Sequence, residues 1–154
     1  MNSAENDLRA VIDTSVWVSA LINPTGFPAR ILVAFLDRRF TLLVSDPLLH
    51  EIAASLSKPR IVRKYDIKTD RVNSLLNLFQ EQAVNVPVFG SIQVCRDPKD
   101  NFIIETAMRG RADMLVSRDD DLKGDEQLVR FLATHGITAL SVQRFLDALD
   151  ANSM

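Results

Sequence analysis

A chain of 154 residues, 47% hydrophobic and 25% charged, has the length and composition of one ordinary globular domain with a real core. Its 18 Lys and Arg against 20 Asp and Glu leave a net charge of −2, so it lacks the overall basic footprint of a general nucleic-acid binder, although an acidic cluster can hide a local basic rim. Two His and one Cys are too few for a zinc site of His and Cys, so any metal has to be held mainly by carboxylates, which select hard ions such as Mg²⁺ or Mn²⁺.

The N-terminal "MNSAENDLRA" is polar and acidic, unlike a secretory or transit peptide. No apolar run reaches the roughly 18 residues of a membrane span, and the lone Cys95 forms no internal disulfide, so a cytoplasmic location is expected. "RAVID" (9–13) predicts a first strand and "TSVWVSALI" (14–22) a short helix, stopped by Asn23-Pro24-Thr25-Gly26. "FPARILVAFLDRR" (27–39) restarts a helix, with Pro28 suited to its first turn, and "TLLVS" (41–45) is a second strand. Ser45-Asp46-Pro47 opens the helix "PLLHEIAASLS" (47–57). "PRIVRKY" (59–65) is a short helical turn, and "TDRVNSLLNLFQEQA" (69–83) a longer helix behind a Thr69 cap.

"VNVPV" (84–88) reads as a third strand that Pro87 interrupts. Asp97-Pro98-Lys99-Asp100 begins the helix "NFIIETAMRG" (101–110), ended by Gly110, and "DMLVS" (113–117) is a fourth strand. "EQLVRFLATHG" (126–136) is a helix, "ITAL" (137–140) a fifth strand and "SVQRFLDAL" (141–149) a closing helix. Short aliphatic strands alternating with helices predict a mostly parallel sheet covered on both faces. With no internal repeat, low-complexity tract or linker, residues 1–154 read as a single domain whose core spans about 8–149. In such sheets ligands bind beyond the carboxyl ends of the strands.

The acids fall at that edge. Asp13 ends the first strand, and Asp119, Asp120 and Asp121 follow the fourth, where consecutive carboxylates repel one another and invite a cation. Asp100 stands in the first turn of its helix and, at about 100° per residue, shares the apolar face of Ile103, Ile104 and Ala107. Glu51 lies one turn into its helix, bordering the stripe of Leu48, Leu49, Ile52 and Leu56. Each has a plainer explanation. Asp13 can cap the following helix, Asp100 can be the third residue of a capping box begun by Asp97, Glu51 can be a solvated helix residue, and 119–121 a polar turn. All four together require independent accidents at one edge of one sheet.

Other constellations are poorer. His50 and His135 have no nucleophile elbow of the G-x-S-x-G type to serve, and no glycine-rich phosphate loop is present. Lys58, Arg60, Arg63 and Lys64 read as a solvated face that can also meet RNA phosphates. Trp17 and Phe102 read as core residues rather than base-stacking platforms.

The segments "VIDTSVWVSALI", "LLHEI", "RDPKDNFIIETAMRGRADMLVSRDDDL" and "GITALSVQRFL", in that order, resemble the PIN-domain family, and within it the toxins of prokaryotic type II toxin–antitoxin modules. The resemblance runs from about Val11 to Leu146. It implies a three-layer α/β/α fold and a Mg²⁺- or Mn²⁺-dependent endoribonuclease acting on single-stranded RNA, leaving 5′-phosphate and 3′-hydroxyl ends. The matching acids are Asp13, Glu51, Asp100 and Asp119, with Asp121 a further contributor to the metal pocket and Ser15 and Ser117 in support. Ser15 stands where many relatives have Asn, and Arg118 where a small or acidic residue is more common. The resemblance also implies a small antitoxin protein as partner, a homodimer and no membrane association. Two other readings stay open: a non-catalytic interaction module on the same fold, and a phosphoaspartate phosphatase using Asp13. Against the latter, Ser15 occupies the place of the second Asp that haloacid-dehalogenase chemistry needs.

Overall fold

Residues 8–95, 97–118, 122 and 124–152 are described in a computed structural model of the chain. In chain order they form β1 (Arg9–Ile12), α1 (Thr14–Ile22), α2 (Phe27–Leu36), β2 (Thr41–Val44), α3 (Asp46–Leu56), α4 (Pro59–Tyr65), α5 (Thr69–Gln82) and β3 (Val84–Asn85). A 3₁₀ turn (Pro98–Asp100) then leads into α6 (Asn101–Arg109), β4 (Met114–Val116), α7 (Glu126–Thr134), β5 (Thr138–Leu140) and α8 (Val142–Asn152).

The strands form one five-stranded sheet in the order β3-β2-β1-β4-β5, and every neighbouring pair is parallel. Val11 and Ile12 of β1, Leu43 and Val44 of β2, and Leu115 and Val116 of β4 are buried, as side chains on both faces of a covered parallel sheet must be. The chain steps outward from β1 to β3, then returns across the sheet to β4 and β5. Right-handed crossovers taken in opposite directions put their helices on opposite faces. The result is the three-layer α/β/α sandwich with a parallel central sheet that the strand–helix alternation predicts. On it, α6 packs over β1 and β2, while α1 packs against α2 and α3, and α8 against α2 and β4.

One layer is sealed by aromatic rings. Trp17 of α1 lies 4.7 Å from Phe79 of α5, Phe79 is 5.6 Å from Phe35 of α2, and Phe40 is 5.0 Å from Phe145 of α8. Trp17 is a core residue, as expected, and the chain bends by 100° between α1 and α2 at the Asn23–Gly26 turn. Among the described residues no single helix is long and apolar enough to cross a membrane.

Several boundaries differ from the sequence expectation for identifiable reasons. β3 stops at Asn85 rather than Val88: Val86 N–H still donates to Val44 O (2.7 Å), but Pro87 has no N–H with which to continue. α2 ends at Leu36 rather than Arg39 because Arg38 turns into the left-handed region, φ 58°. Thr69 is the first residue of α5, not its cap; Lys68 takes the cap position without a side-chain bond to the helix. α8 continues past Leu149 to Asn152.

Gly110 does end α6, but not by adopting a left-handed conformation. Its φ is −81°, and Arg111 takes the positive φ of 54° instead. Glycine is needed for closeness: a Cβ there would lie 2.8 Å from Leu43 Cδ1 and 2.9 Å from Val86 Cγ2. The Gly110 carbonyl also accepts from Arg9 Nη2 (2.7 Å) and Nε (3.1 Å), fastening the helix end to β1. Gly110→Ala is therefore expected to destabilise the protein by about 1–3 kcal/mol through overpacking. A shift of the urea midpoint at unchanged m-value checks this, and an unchanged midpoint would mean that the helix end relaxes without cost.

Candidate active site

The order of strands reverses between β1 and β4, and in parallel sheets the crevice at such a point is where ligands bind. Asp13 stands there, its N–H donating to Val116 O of β4 (2.8 Å). Oδ1 accepts from the Thr14 N–H (2.8 Å), so Asp13 caps α1. Oδ2 accepts from the Ser117 hydroxyl (2.9 Å) and, more distantly, from Ser15 Oγ (3.4 Å). Capping and site roles are thus compatible, because one oxygen faces the helix and the other spans the crevice. The side chain is buried, and these donors offset the cost of burying it.

Asp13, Glu51 and Asp100 line one cleft of about 30 Å³, together with Pro47, Leu48, Phe102 and Ile103. That is roughly the volume one water takes up in the liquid. Glu51 is exposed at the rim, and its Oε1 accepts a short hydrogen bond from the Thr14 hydroxyl, which joins α3 to α1. Asp100 closes the 3₁₀ turn and is half-buried. Its N–H donates to the Asp97 carbonyl (3.0 Å), and Asp100 stands at the cap position of α6 with no side-chain bond capping that helix. Ile103, Ile104 and Ala107 are buried on its face, as the helical spacing predicts. Asp119, Asp120 and Asp121 lie outside the described residues. Among the described residues, no three of His, Cys, Asp or Glu come together as a group able to hold a metal ion.

A family model described as PIN domain matches residues 9–121. The chain belongs to the PIN-domain family. The matched span includes Asp13, Glu51, Asp100, Asp119 and Asp121. An uncharacterized protein of Methanocaldococcus jannaschii is similar to this PIN domain, 34% identical over 115 residues that cover 75% of this chain and 73% of that one. The crystal structure of FitAcB from Neisseria gonorrhoeae aligns over 87% of this chain and 98% of that chain, with 11% identity and a TM-score of 0.49.

In this PIN domain Phe102 is not a core residue. It lies 40% exposed, because it stands one position off the inward face of α6 that carries Ile103 and Ile104. Arg118 does not line the cleft; its guanidinium donates to Ser19 Oγ of α1. Lys58, Arg60, Arg63 and Lys64 are exposed, as a solvated face requires. Thr14 was legible in the Asp-Thr-Ser run, but its grip on Glu51 depends on how α1 and α3 pack.

A second carboxylate organises the neighbouring loop. Glu105 is buried and accepts from the N–H groups of Phe89 (2.7 Å), Gly90 (2.9 Å) and Ser91 (3.2 Å) and from Arg109 Nε (2.7 Å). Burial works against its charge, but the bonds from Phe89, Arg109, Gly90 and Ser91 outweigh this and hold it below the ordinary value of 4.5. The only sequence signal was an acid set among apolar residues four positions before an arginine.

Because the folded value is lowered, this contribution to stability is complete above the ordinary carboxylate range and is lost as pH falls through the folded value. Glu105→Gln should lower the melting temperature at pH 7 by roughly 3–8 °C. The gap from the wild type should shrink in acid, which circular-dichroism melts across pH would show. Burial, followed by the charges of Asp100, Asp125 and Asp97, pushes the Cys95 thiol up from 9.0 to about 11. Its alkylation by iodoacetamide near pH 8 should therefore be roughly a hundredfold slower than that of an ordinary thiol and rise steeply toward pH 11.

Proposed function

We propose that this PIN domain is a metal-dependent endoribonuclease that cleaves single-stranded RNA, the toxin of a toxin–antitoxin pair, with the whole chain acting as one domain. The observation that carries the reading is the arrival of Asp13, Glu51 and Asp100, from β1, α3 and the start of α6, at one cleft beyond the carboxyl edge of the sheet. Oxygen donors without His or Cys suit Mg²⁺ or Mn²⁺. Mg²⁺ takes only one or two protein carboxylates and keeps several waters, so the two acids at the floor of the cleft, Asp13 and Asp100, fit it without a closed protein cage. Asp119 would join them, and Asp121 would contribute further.

When bound, such an ion supplies Lewis-acid polarisation of a phosphodiester and a more acidic water. The chain does the positioning. Ser117, with Ser15, holds Asp13 Oδ2 at the crevice, and the Thr14 N–H holds Oδ1, so the carboxylate cannot rotate away. The Thr14 hydroxyl fixes Glu51 at the rim, where it would orient the attacking water or help hold a second ion. A cytoplasmic location, a small antitoxin covering the cleft and a homodimer complete the proposal.

Asp100→Asn should reduce Mn²⁺-dependent cleavage of single-stranded RNA by roughly 100-fold or more while keeping the fold, since the amide matches the carboxylate in size but not in charge. With a repelling carboxylate gone, the melting temperature of the metal-free protein should hold or rise. Asp13→Asn should weaken Mn²⁺ binding measured by calorimetry. Full cleavage by Asp100→Asn would sink the assignment at that position, and a wild type that binds Mn²⁺ yet cleaves no RNA would favour the non-catalytic module.

A further inference from the structure

Phe102, a large exposed aromatic, lines two concavities. On one side is the acid cleft of Asp13, Glu51 and Asp100. On the other is a groove of about 540 Å³, lined by Gly90, Ile92, Gln93, Cys95, Pro98 and Asn101 as well as Phe102 itself. The groove lies in the usual size range of sites for small organic groups, about 300–1,000 Å³. Its walls combine apolar surface from Ile92, Pro98 and Phe102 with the amides of Gln93 and Asn101. A flat ring with polar edges suits this described lining, which offers apolar surface to a ring face and amides to its edge.

The groove is also held in shape. Its outer wall, residues 89–95, has no helix or strand of its own, yet α6 fastens it at both ends. Glu105 takes the N–H groups of Phe89, Gly90 and Ser91, and Asn101 Oδ1 accepts from Val94 N (3.1 Å) and Cys95 N (3.0 Å). With its carbonyl oxygen committed to the loop, the Asn101 side chain has its NH₂ group left as donor, and every nucleobase edge carries acceptors. A large apolar ring left exposed between an acid cleft and a preformed groove is more than a stray surface phenylalanine.

We propose that this groove is a nucleobase subsite. The base adjoining the phosphate at the acid cleft enters it and stacks on Phe102, with Asn101 and Gln93 at the base edge. The inference rests on the ribonuclease reading and deepens it: the substrate is an unpaired strand because a base inside a duplex cannot turn out to reach the ring. Phe102 is then a positioning residue whose contribution is to binding rather than to bond breaking.

The test uses a short single-stranded RNA carrying 2-aminopurine, whose fluorescence is quenched by stacking, with Ca²⁺ in place of Mn²⁺ to separate binding from cleavage. The wild type should quench it. Phe102→Ala should abolish the quench, weaken binding roughly 10–100-fold and, in Mn²⁺, raise KM by a similar factor with kcat within about threefold. Phe102→Trp should restore both readouts, whereas Phe102→Leu, which keeps apolar surface but has no ring face, should behave like Phe102→Ala. Since the side chain is exposed, all three variants should melt close to the wild type.

A Leu variant equal to the wild type in quench and KM would overturn stacking on the Phe102 ring. No quench with the wild type, or an Ala variant matching a wild type that cleaves RNA, would overturn the subsite alone. A wild type that quenches the probe but cleaves nothing in Mn²⁺ would overturn the ribonuclease reading and leave the base subsite standing.

Discussion

The Asp13 carboxylate sits where the order of strands reverses, and the carboxyl edge of the sheet is tied together around it. A buried carboxylate has to be surrounded by donors, and here they come from three places at once: the α1 backbone through Thr14, the α1 side chain of Ser15, and the end of β4 through Ser117. Those bonds join β1, α1 and β4 across the crevice. They also fix the register at which any ligand meets the sheet, since β1 and β4 run parallel with Ile12 beside Val116. The donors that make its burial tolerable are also the ones that fix the direction of the carboxylate.

Helix α6 is the second organiser. Its first turn follows Asp100, exposes Phe102 and uses Asn101 to hold residues 94 and 95. One turn later Glu105 holds residues 89–91, and Thr106 donates to Ser45 Oγ (2.8 Å) at the start of α3, the helix that carries Glu51. Its end is pressed against Leu43 and Val86 through Gly110. A single helix therefore sets the distance between the acid cleft, the neighbouring loop and the sheet. Buried polar contacts of this kind specify geometry because each has only one satisfactory arrangement. The aromatic rings of Trp17, Phe79, Phe35, Phe40 and Phe145 supply packing on which that geometry rests, and they impose no direction on the acids.

Much of the fold was legible in the residues. Short aliphatic runs such as "TLLV" and "MLV", bounded by turn residues, read as strands buried on both faces, and their alternation with amphipathic helices points to a parallel sheet with helices on either side. The acids at strand ends and helix starts were legible for the same reason, since the periodicities of strand and helix place Asp13 and Asp100 at one edge, and the inward tilt of Asp100 followed from Ile103, Ile104 and Ala107. Local signals failed where a neighbour decided the outcome. Arg38 and Arg111 adopt left-handed conformations without a glycine to announce them, and Lys68 rather than Thr69 takes the cap of α5.

By itself, the sequence determined the strand–helix order, the parallel sheet and the edge at which Asp13 and Asp100 stand, because each follows from periodicity along a short stretch. Only the tertiary structure decided what those residues touch. The Thr14–Glu51 bond spans 37 positions, Ser117–Asp13 spans 104, and the bond by which Glu105 holds the Phe89 N–H spans 16. Contacts between segments so far apart are set by how helices pack on the sheet, and no local pattern of residues encodes that packing.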